Sequence, residues 1–292
     1  MRVKILIILT CLALPVISQE FKGKIICYKN GKPIEYVNIG VIGKNLGTVS
    51  DQQGFYNLVI NKNVTLEDSI QISTIGYKTK VFTLERFKNL DDYNILLSPK
   101  SYSIREMQVV AKRRNRIKRF GTPVPSSNLV SLFYDSLNRF RLGQELGVLI
   151  DVKNNVLIRT ININFGKCSI DSVEMRLNIY KLSSSQEFSN SLQEPIYFSF
   201  EKSDIEKELI IDVTEYSIIV SEKVLITVEY FKHSGEGTLG IFAESLPIGM
   251  SYFRESSQAQ WKTSPFNLGI SFYGERIKYI ERPSLFPNQM NP

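Results

Sequence analysis

The sequence holds a single histidine, His233, and that count restricts the catalytic chemistry open to the chain. A serine or cysteine nucleophile usually relies on a histidine base, and a catalytic zinc ion typically has two histidine ligands. No serine has the glycine-flanked context of a nucleophile elbow, and no HExxH motif occurs. We therefore expect no catalytic residue, no bound metal and no cofactor. His233 itself is interpreted as an exposed residue of a turn.

Paired carboxylates are the remaining candidates for catalysis, because glycoside hydrolysis needs two acids facing each other across a cleft. Two pairs are close in sequence, Asp91 with Asp92 and Asp212 with Glu215. Proximity along the chain does not make two side chains face each other, and such charges usually lie in solvated turns. The turn interpretation is preferred, and a hydrolase with an unrecognised acid pair stays open.

A basic run is the sharpest charge feature of the chain. Residues 104–119 hold seven basic residues and one acidic residue, so most of the formal net charge of +7 comes from one window. No aromatic side chain interrupts the run, so nucleic acid is not expected as a partner. Anionic lipid head groups attract a basic segment by about 1 kcal/mol per residue. Candidate residues for peripheral contact with a membrane or polyanion are Lys112, Arg113, Arg114, Arg116, Lys118 and Arg119. A solvated linker is the alternative.

Aromatic residues are concentrated in residues 250–273, which include the only tryptophan of the chain. Aromatic rings combine flat apolar faces with polar edges, and such faces stack well on sugar rings. We therefore select Tyr252, Trp261 and Tyr273 as candidate ligand-binding residues. The alternative is that these rings close a hydrophobic core, and exposure of Trp261 or Tyr252 in a groove would distinguish the two.

The N-terminus predicts export. Arg2 and Lys4 precede an apolar run over residues 5–17 that is too short to span a bilayer, and residues 1–18 have the features of a cleaved secretory signal. We therefore expect an exported protein of the periplasm or the outer-membrane surface. Lipid attachment at Cys11 is an alternative to simple cleavage. Removal of the signal leaves Cys27 and Cys168, which we expect to be small buried side chains rather than a disulfide scaffold.

Short apolar runs between Phe21 and Leu97 alternate with turn residues, which is typical of an all-β domain. About seven strands over roughly eighty residues predict a small sandwich. The strands on either side of residues 51–54 are expected to pair around a turn. The predicted strands are 24–28, 35–42, 48–50, 54–60, 69–73, 78–84 and 92–97.

Several motifs in this domain follow one another in a distinctive order. They are the strand that begins at Gly23, Gly31-Lys32-Pro33-Ile34, Val37-Asn38-Ile39, Gly47-Thr48-Val49-Ser50-Asp51, Gly54-Phe55-Tyr56, and Ser73 with Ile75-Gly76-Tyr77. Residues 20–98 thereby resemble the carboxypeptidase regulatory-like domain, a module similar to transthyretin in fold. In that family the domain is an accessory β-sandwich without catalytic residues, found beside peptidases and in envelope proteins of Bacteroidota. The resemblance implies an accessory role for residues 19–98.

The rest of the chain predicts a linker and a second β domain. Residues 99–126 combine the basic run with glycine and proline and are interpreted as a basic linker. Residues 128–140 place leucine and phenylalanine near helical spacing, which predicts one short helix. Residues 127–284 then predict a jelly-roll-like β-sandwich, followed by a tail at 285–292. The strands predicted within it are 146–152, 156–165, 172–181, 208–213, 223–231, 238–243 and 268–273.

The clearest strand of the second domain is residues 173–180, where apolar residues alternate with polar or amphipathic ones. This alternation predicts one face in the core and one face in solvent. Residues 176–180 and 212–218 are also similar to an uncharacterised jelly-roll domain of Bacteroidota envelope proteins.

The sequence therefore predicts an all-β protein with an N-terminal seven-stranded transthyretin-like β-sandwich, a C-terminal jelly-roll-like β-sandwich and one short helix between them. We expect a non-catalytic protein that serves binding or assembly at the cell envelope, with an envelope protein or a glycan as its partner. One alternative is a carbohydrate-binding accessory protein that works with separate enzymes or receptors. The other is the acid-pair hydrolase.

Overall fold

The computed structural model describes residues 18–61, 63–100, 109–110, 116–122, 129–133, 140–183, 187–205, 208–245 and 250–279. The predicted signal segment before Ser18, including Cys11, and the predicted tail lie outside these residues. The regular secondary structure of the described residues is almost all strand, which confirms the predicted all-β class. None of the helices they contain is long and apolar enough to cross a membrane.

The first domain contains seven strands and one short helix. The strands are β1 (Gln19–Cys27), β2 (Asn38–Val41), β3 (Gly47–Val49), β4 (Phe55–Ile60), β5 (Ser69–Ser73), β6 (Lys80–Thr83) and β7 (Ile95–Leu97), and the helix is α1 (Leu84–Lys88). They form two sheets, in the orders β4-β1-β7 and β3-β2-β5-β6. Alternate residues such as Phe21, Leu58 and Ile72 meet between the sheets in one apolar core. The predicted seven-stranded sandwich is confirmed.

One pairing predicted for this domain is wrong. The strands on either side of residues 51–54 do not pair, since β3 pairs with β2 and β4 pairs with β1. The turn instead carries the chain from one sheet to the other. Asp51 Oδ1 accepts from the backbone N–H groups of Gln53 at 2.9 Å and Phe55 at 2.8 Å. Gly54 adopts a φ of 79°, a region open to glycine. The turn residues therefore form their local hydrogen bonds although the flanking strands do not form a hairpin.

The second domain contains the other strands of the described residues. They are β8 (Val109–Val110), β9 (Lys118–Gly121), β10 (Leu129–Leu132), β11 (Glu145–Ile163), β12 (Phe165–Cys168), β13 (Ser172–Leu182), β14 (Phe188–Asn190), β15 (Ile196–Glu201), β16 (Leu209–Asp212), β17 (Ile219–Ser234), β18 (Leu239–Ser245), β19 (Ser251–Arg254), β20 (Lys262–Ser264), β21 (Phe266–Leu268), β22 (Ile270–Arg276) and β23 (Lys278–Tyr279). Short 3-10 helices lie at Lys202–Ile205 and Thr214–Tyr216.

Two sheets enclose the core of the second domain. The larger sheet runs β14-β13-β17-β11-β19-β20, with β15, β16, β22 and β9 also paired to it, and the smaller runs β10-β18-β12 with β21. Apolar residues of the long strands β11, β13 and β17 meet those of β18 in one cluster, for example Ile179 and Val228 with Ile241. The second domain is thus a β-sandwich built on two unusually long strands.

Two predictions for the region between the domains differ from the structure. The helix predicted over 128–140 is wrong for Leu129–Leu132, which form β10 and pair with β18, while residues 134–139 lie outside the described part. The only α-helix of the described residues is α1, whose first turn is capped by Thr83 Oγ1. Strand pairing overrides helical spacing here because the neighbouring strand satisfies the backbone of β10. Lys118–Gly121, assigned to the linker, form β9 and pair with β22.

The two domains are held together by a loop of the second domain. Ser257 Oγ donates to Asn38 Oδ1 at 2.8 Å, and Gln258 Nε2 donates to Ser73 Oγ at 2.9 Å. A Cβ atom added at Gly47 would lie 2.1 Å from the carbonyl oxygen of Ser257, and one at Gly40 would lie 2.4 Å from it. The close approach of the loop therefore depends on two glycines of the first domain.

Candidate ligand-binding site between the two domains

Four charged side chains cross the large sheet of the second domain in one row. Antiparallel register places Arg176 on β13 opposite Glu229 on β17, Glu229 opposite Glu145 on β11, and Glu145 opposite Arg254 on β19. Directly opposite residues project from the same face of a sheet. Arg254 is 8% exposed, and the other three are at most 1% exposed. We call these four residues the charged row.

Arg176 and Glu229 form one half of the row. Glu229 Oε2 accepts from Arg176 Nε at 3.0 Å and Nη2 at 2.6 Å, and from Asn178 Nδ2 at 2.8 Å. Asn190 Nδ2 in turn donates to Asn178 Oδ1 at 2.9 Å. Burial lowers the pKa of Arg176, but the charge of Glu229 raises it, and the net pKa is raised. Arg176 therefore remains positively charged in the interior.

Glu145 and Arg254 form the other half. Arg254 Nη2 donates to Glu145 Oε1, Thr227 Oγ1 donates to Glu145 Oε2 at 2.6 Å, and the Tyr180 hydroxyl lies 3.1 Å from both carboxylate oxygens. Burial raises the pKa of Glu145, the charge of Arg254 opposes that rise, and the charge of Glu229 adds to it, with a net increase. Burial also raises the pKa of Tyr180 well above its usual value. The row has the charge order plus, minus, minus, plus.

The first domain covers this face of the sheet. Arg176 Nη1 donates to the carbonyl oxygen of Tyr36 at 2.9 Å, and the ring of Tyr36 stacks on Phe231 with centroids 4.5 Å apart. Arg176 and Asn178 are each 1% exposed. The prediction that the polar face of residues 173–180 lies in solvent is therefore wrong, because the first domain docks on it.

A cavity of about 330 Å³ lies between the domains beside the charged row. From the first domain it is lined by Asn38, Gln71, Thr79, Lys100 and residues 73–77. Its lining from the second domain includes Arg176, Asn178, Tyr180, Phe188, Ser189, Asn190, Arg254, Gln258 and Trp261. Amides, hydroxyls and aromatic rings dominate this surface, and the two carboxylates of the row lie behind it. Such a concave site with convergent polar groups is typical of small-ligand binding.

Two buried atoms of the charged row have no hydrogen-bond partner among the described residues. They are Arg254 Nε, a donor, and Glu229 Oε1, an acceptor. Unpaired buried polar atoms are uncommon in folded proteins because each costs desolvation free energy. Arg254 also lines the cavity, but its Nε is one of these buried atoms.

A wider groove of about 1000 Å³ also lies between the domains, with Gln52, Phe55 and Phe231 among its lining residues. Its charged lining residues, Lys22, Asp51 and Lys232, are exposed to solvent. The smaller cavity is the stronger candidate because two of its charged lining residues, Arg176 and Arg254, are buried and paired with carboxylates.

Of the three aromatic residues selected from the sequence, Trp261 and Tyr252 contact the same ring, that of Phe188, and Tyr273 lies apart. Trp261 lines the cavity and is partly exposed, and its ring packs edge-on against Tyr180 and Phe188 with centroids 5.7 Å away in each case. The guanidinium of Arg254 lies 4.9 Å from the Trp261 ring centroid. Tyr252 contacts Phe188 at 5.2 Å and thus supports the same cluster. Tyr273 lies elsewhere, under Arg119 at 5.5 Å.

The described residues of the basic run differ in exposure and contacts. Arg116 and Lys118 are exposed, whereas Arg119 Nη2 donates to Glu208 Oε1 at 2.5 Å and lies over Tyr273. Arg119 is therefore held within the second domain. Lys112, Arg113 and Arg114 lie outside the described residues, and membrane or polyanion contact stays a prediction.

The other residues considered for chemistry have structural roles. The prediction that His233 is an exposed residue of a turn is wrong, because His233 lies in β17 opposite Val173 and is half-buried. Its Nδ1 lies 2.5 Å from the Tyr230 hydroxyl, and burial lowers its pKa. Asp92 Oδ1 accepts from Asn94 N at 2.8 Å, and Asp212 Oδ1 from Thr214 N at 2.8 Å, as turn carboxylates do. Hydrogen bonds from Thr214 lower the pKa of Asp212.

No cluster of three or more histidine, cysteine, aspartate or glutamate side chains suited to a metal occurs in the described part of the chain. Cys27 is buried and Cys168 is half-buried, and both are free thiols.

The charged row was not selected from the sequence. A signal was present, because Glu145, Arg176 and Glu229 each occur within or beside strongly apolar strand segments. A charge buried in a sheet must be paired, so three such residues on separate strands predict mutual pairing. Which strands are neighbours, however, depends on sheet order and register.

Comparison with known proteins identifies the first domain. Residues 21–109 match the family model of the CarboxypepD_reg-like domain, which confirms the resemblance seen in the motifs of residues 20–98. Apart from Val109 of β8, the second domain lies outside this match. No curated protein matches the chain.

Proposed function

We propose that this chain is a non-catalytic binding protein of the bacterial cell envelope and that the cavity between its two domains holds the ligand. The observation that carries the proposal is the cavity of about 330 Å³ whose wall includes Arg176 and Arg254, fixed by buried carboxylates. Side chains held by a buried network are preorganised, and preorganisation lowers the entropic cost of binding. An interior of this kind suits recognition of a polar ligand.

The envelope location is supported by two features of the sequence. Residues 1–18 have the charge and hydropathy pattern of a secretory signal. Residues 21–109 match an accessory module that, in the resemblance described above, occurs in envelope proteins of Bacteroidota. In this proposal the module contributes one wall of the ligand site rather than acting as an independent appendage.

Carbohydrate binding is a second candidate, in which the protein serves separate enzymes or receptors as an accessory. It is favoured by the aromatic part of the lining, Tyr77, Tyr180, Phe188 and Trp261, beside several amides. Apolar ring surface with polar groups at its edge suits the C–H face and the hydroxyls of a sugar. The acid-pair hydrolase gains no support from this cavity, because no carboxylate lies among its described lining residues.

The proposal is tested with a variant that fills the cavity. Ser189 lines the cavity on the short strand β14 and is exposed, so Ser189→Trp occupies the site without entering a core. Ser199→Trp on β15 is the matched control, because Ser199 is exposed and lies outside the lining. The probe is the protein-free carbohydrate fraction of bacterial cell envelopes, and the readout is the midpoint of thermal unfolding of the full exported chain.

We expect the fraction to raise the unfolding temperature of the unchanged protein and of Ser199→Trp but not of Ser189→Trp. Ligand that binds only the folded state stabilises it by mass action, so loss of binding removes the shift. An equal shift in all three proteins would place binding outside the cavity. No shift in any of them would overturn the proposal for envelope carbohydrate.

A further inference from the structure

We infer that the open edge of β4 in the first domain is a docking site for an extended peptide segment of another protein, which joins the sheet as an added strand. β4 lies at the end of the sheet β4-β1-β7 and, among the described strands, pairs only with β1. The inference goes beyond the proposed function. It concerns the wider groove of about 1000 Å³, whose described lining residues differ from those of the cavity.

The ladder between β1 and β4 shows which backbone groups of β4 face outward. Ile25 N donates to Gly54 O at 2.8 Å, so these two residues form a hydrogen-bonded pair. Such pairs alternate with non-hydrogen-bonded pairs along an antiparallel ladder, so Phe55, Asn57 and Val59 direct their backbone N–H and C=O away from β1. The preceding turn bonds these groups of Phe55, whereas those of Asn57 and Val59 have no hydrogen bond to a described residue. Two donors and two acceptors are therefore available to another backbone.

The residues of β4 include none that usually protect a free edge. Most proteins blunt an exposed edge with lysine or another charge, with proline, or with a bulge. The strand reads Phe-Tyr-Asn-Leu-Val-Ile and pairs with β1 in one continuous register. Phe55 is 54% exposed and Val59 is 44% exposed, whereas β6, at the edge of the other sheet, begins with the exposed Lys80. An uncharged six-residue edge of this kind promotes aggregation unless a partner strand covers it.

The wider groove runs along this open edge. Asn57 of β4 lines it, and so do Lys22 of β1 and Val49 of β3, which lie in the two different sheets of the first domain. A groove that touches both sheets at their β3 and β4 side passes the edge of β4. The second domain adds Leu142 and Phe231 to the lining. A strand added to β4 would therefore contact both domains.

The apolar lining of the groove continues the contact between the two domains. Tyr36 of the first domain stacks on Phe231 of the second, and Val49 belongs to the same buried cluster. All three residues line the groove, together with Leu142, which is 41% exposed. Side chains of a strand alternate between two faces. Those turned toward the cluster would extend an existing apolar interface, so we expect apolar residues at every second position of the partner segment.

A single extended segment suits this place better than a second copy of the chain. A second copy paired through β4 would bring a whole β-sandwich, whose sheets lie about 10 Å apart, to an edge that the second domain already flanks. A segment on its own needs only the width of one strand, about 5 Å. In strand addition, main-chain hydrogen bonds give affinity and alternate side chains give specificity. Asn57 and Val59 supply the first, and the apolar lining supplies the second.

The test begins with a phage-displayed library of random peptides selected on the full exported chain. We expect the enriched peptides to share apolar residues at every second position. The best-enriched peptide is then synthesised in two methylated forms, with N-methyl groups on its odd-numbered or on its even-numbered backbone nitrogens. Alternate N–H groups of an added strand face β4. Calorimetry should therefore show a loss of affinity of about tenfold or more for one form and little change for the other.

A variant of the edge provides a second measurement. Val59→Pro removes an outward N–H but none of the donors that β4 offers to β1, and proline is tolerated at such edge positions. Val59→Thr is the matched control, because threonine favours strands and keeps the N–H. We expect the best-enriched peptide to bind Val59→Pro about tenfold or more weakly, and Val59→Thr like the unchanged protein. Thermal unfolding checks that both variants fold, and the methylated peptides need no variant at all.

Other outcomes would overturn the inference. Equal binding of the two methylated forms would exclude strand pairing, and equal binding of the peptide by Val59→Pro and Val59→Thr would exclude this edge. Enriched peptides without alternating apolar residues, or no enrichment, would contradict the expected partner. A dimer in analytical ultracentrifugation that Val59→Pro abolishes would assign the edge to a second copy. The cavity is tested separately, because Ser189 lies outside the groove and Ser189→Trp should leave peptide binding unchanged.

Discussion

Arg176 on β13 donates to Glu229 Oε2 on β17 at 2.6 Å and, through its other terminal nitrogen, to the carbonyl oxygen of Tyr36 at 2.9 Å. One buried guanidinium thus joins a charge pair of the second domain to the backbone of the first. The same side chain lies 4.9 Å from the ring centroid of Phe231, on which Tyr36 stacks. The contact between the domains and the charged row therefore share one residue, Arg176.

Removal of one charge from this pair should strongly destabilise the protein. Glu229→Gln leaves Arg176 buried without its carboxylate, which costs about 3–5 kcal/mol. Urea unfolding measures the loss. Lys232→Gln is the control, because the Lys232–Glu174 pair is exposed and such pairs contribute about 0–1 kcal/mol. Equal free energies of unfolding for the two variants would show that the buried pair contributes no more to stability than the exposed pair.

Replacement of both charges together should cost less than removal of Glu229 alone. The double variant Arg176→Met with Glu229→Leu removes two buried ions at once, and apolar substitutes for a buried pair are often close to neutral. A double-mutant cycle from urea unfolding gives the coupling between the two positions. We expect a coupling of about 1–3 kcal/mol, and simple additivity would contradict the role assigned to the pair.

Gly47→Val should loosen the contact between the domains. The three atoms nearest to a Cβ at Gly47 all belong to Ser257 of the second domain, so the added side chain has no closer conflict within its own domain. Overpacking of this kind costs about 1–3 kcal/mol. We expect a larger radius of gyration in small-angle scattering and earlier thermal unfolding. Gly31→Asn is the control, since Gly31 has open space and a φ of 69° that asparagine tolerates.

Alkaline pH should weaken the fold through Tyr180. Its pKa is raised by burial, so above about pH 10 the unfolded chain releases a proton that the folded protein retains. The folded state then binds more protons, and stability falls as pH rises. Tyr180→Phe should make this fall shallower, by up to about 1.4 kcal/mol per pH unit, in urea unfolding between about pH 9 and 11.

The control for that titration is Tyr28→Phe, because the side chain of Tyr28 is 71% exposed. Other buried tyrosines add to the alkaline fall, among them Tyr197, whose pKa burial raises to about 12. The comparison therefore concerns the change in slope and not its absolute value. An unchanged slope in Tyr180→Phe would show that this hydroxyl does not stay protonated in the folded protein.

Membrane contact through the basic run should depend on its exposed residues. Arg116→Ser with Lys118→Ser should lower sedimentation with anionic vesicles by about tenfold or more, at roughly 1 kcal/mol per residue, and added salt should release the unchanged protein. Lys78→Ser with Lys80→Ser is the matched control, because both lysines are exposed in the first domain. Equal vesicle binding by all three proteins, or release that does not depend on salt, would contradict membrane contact through the basic run.

The first domain was largely predictable because its information is local. Alternating apolar residues predicted strands within a few residues of those observed. The turn at residues 51–54 was predicted from Asp51 and Gly54, which are residue types that favour turns. The predicted pairing of the two strands around that turn was wrong, because a turn alone does not determine which sheet the next strand joins. The helix assigned to residues 128–140 failed at β10 for a related reason, because strand partners can override local spacing.

The sequence by itself determined the all-β class, the resemblance of residues 20–98 to the carboxypeptidase regulatory-like domain, and the scarcity of histidine that disfavours common catalytic chemistry. Only the tertiary structure decided that Arg176, Glu229, Glu145 and Arg254 form one row and that Trp261 lies beside it. These residues are up to 109 positions apart in their bonded pairs, so sheet order and register bring them together. Their burial requires the first domain to cover this face of the sheet. No local pattern encodes that contact, because a polar strand face looks the same whether water or another domain covers it.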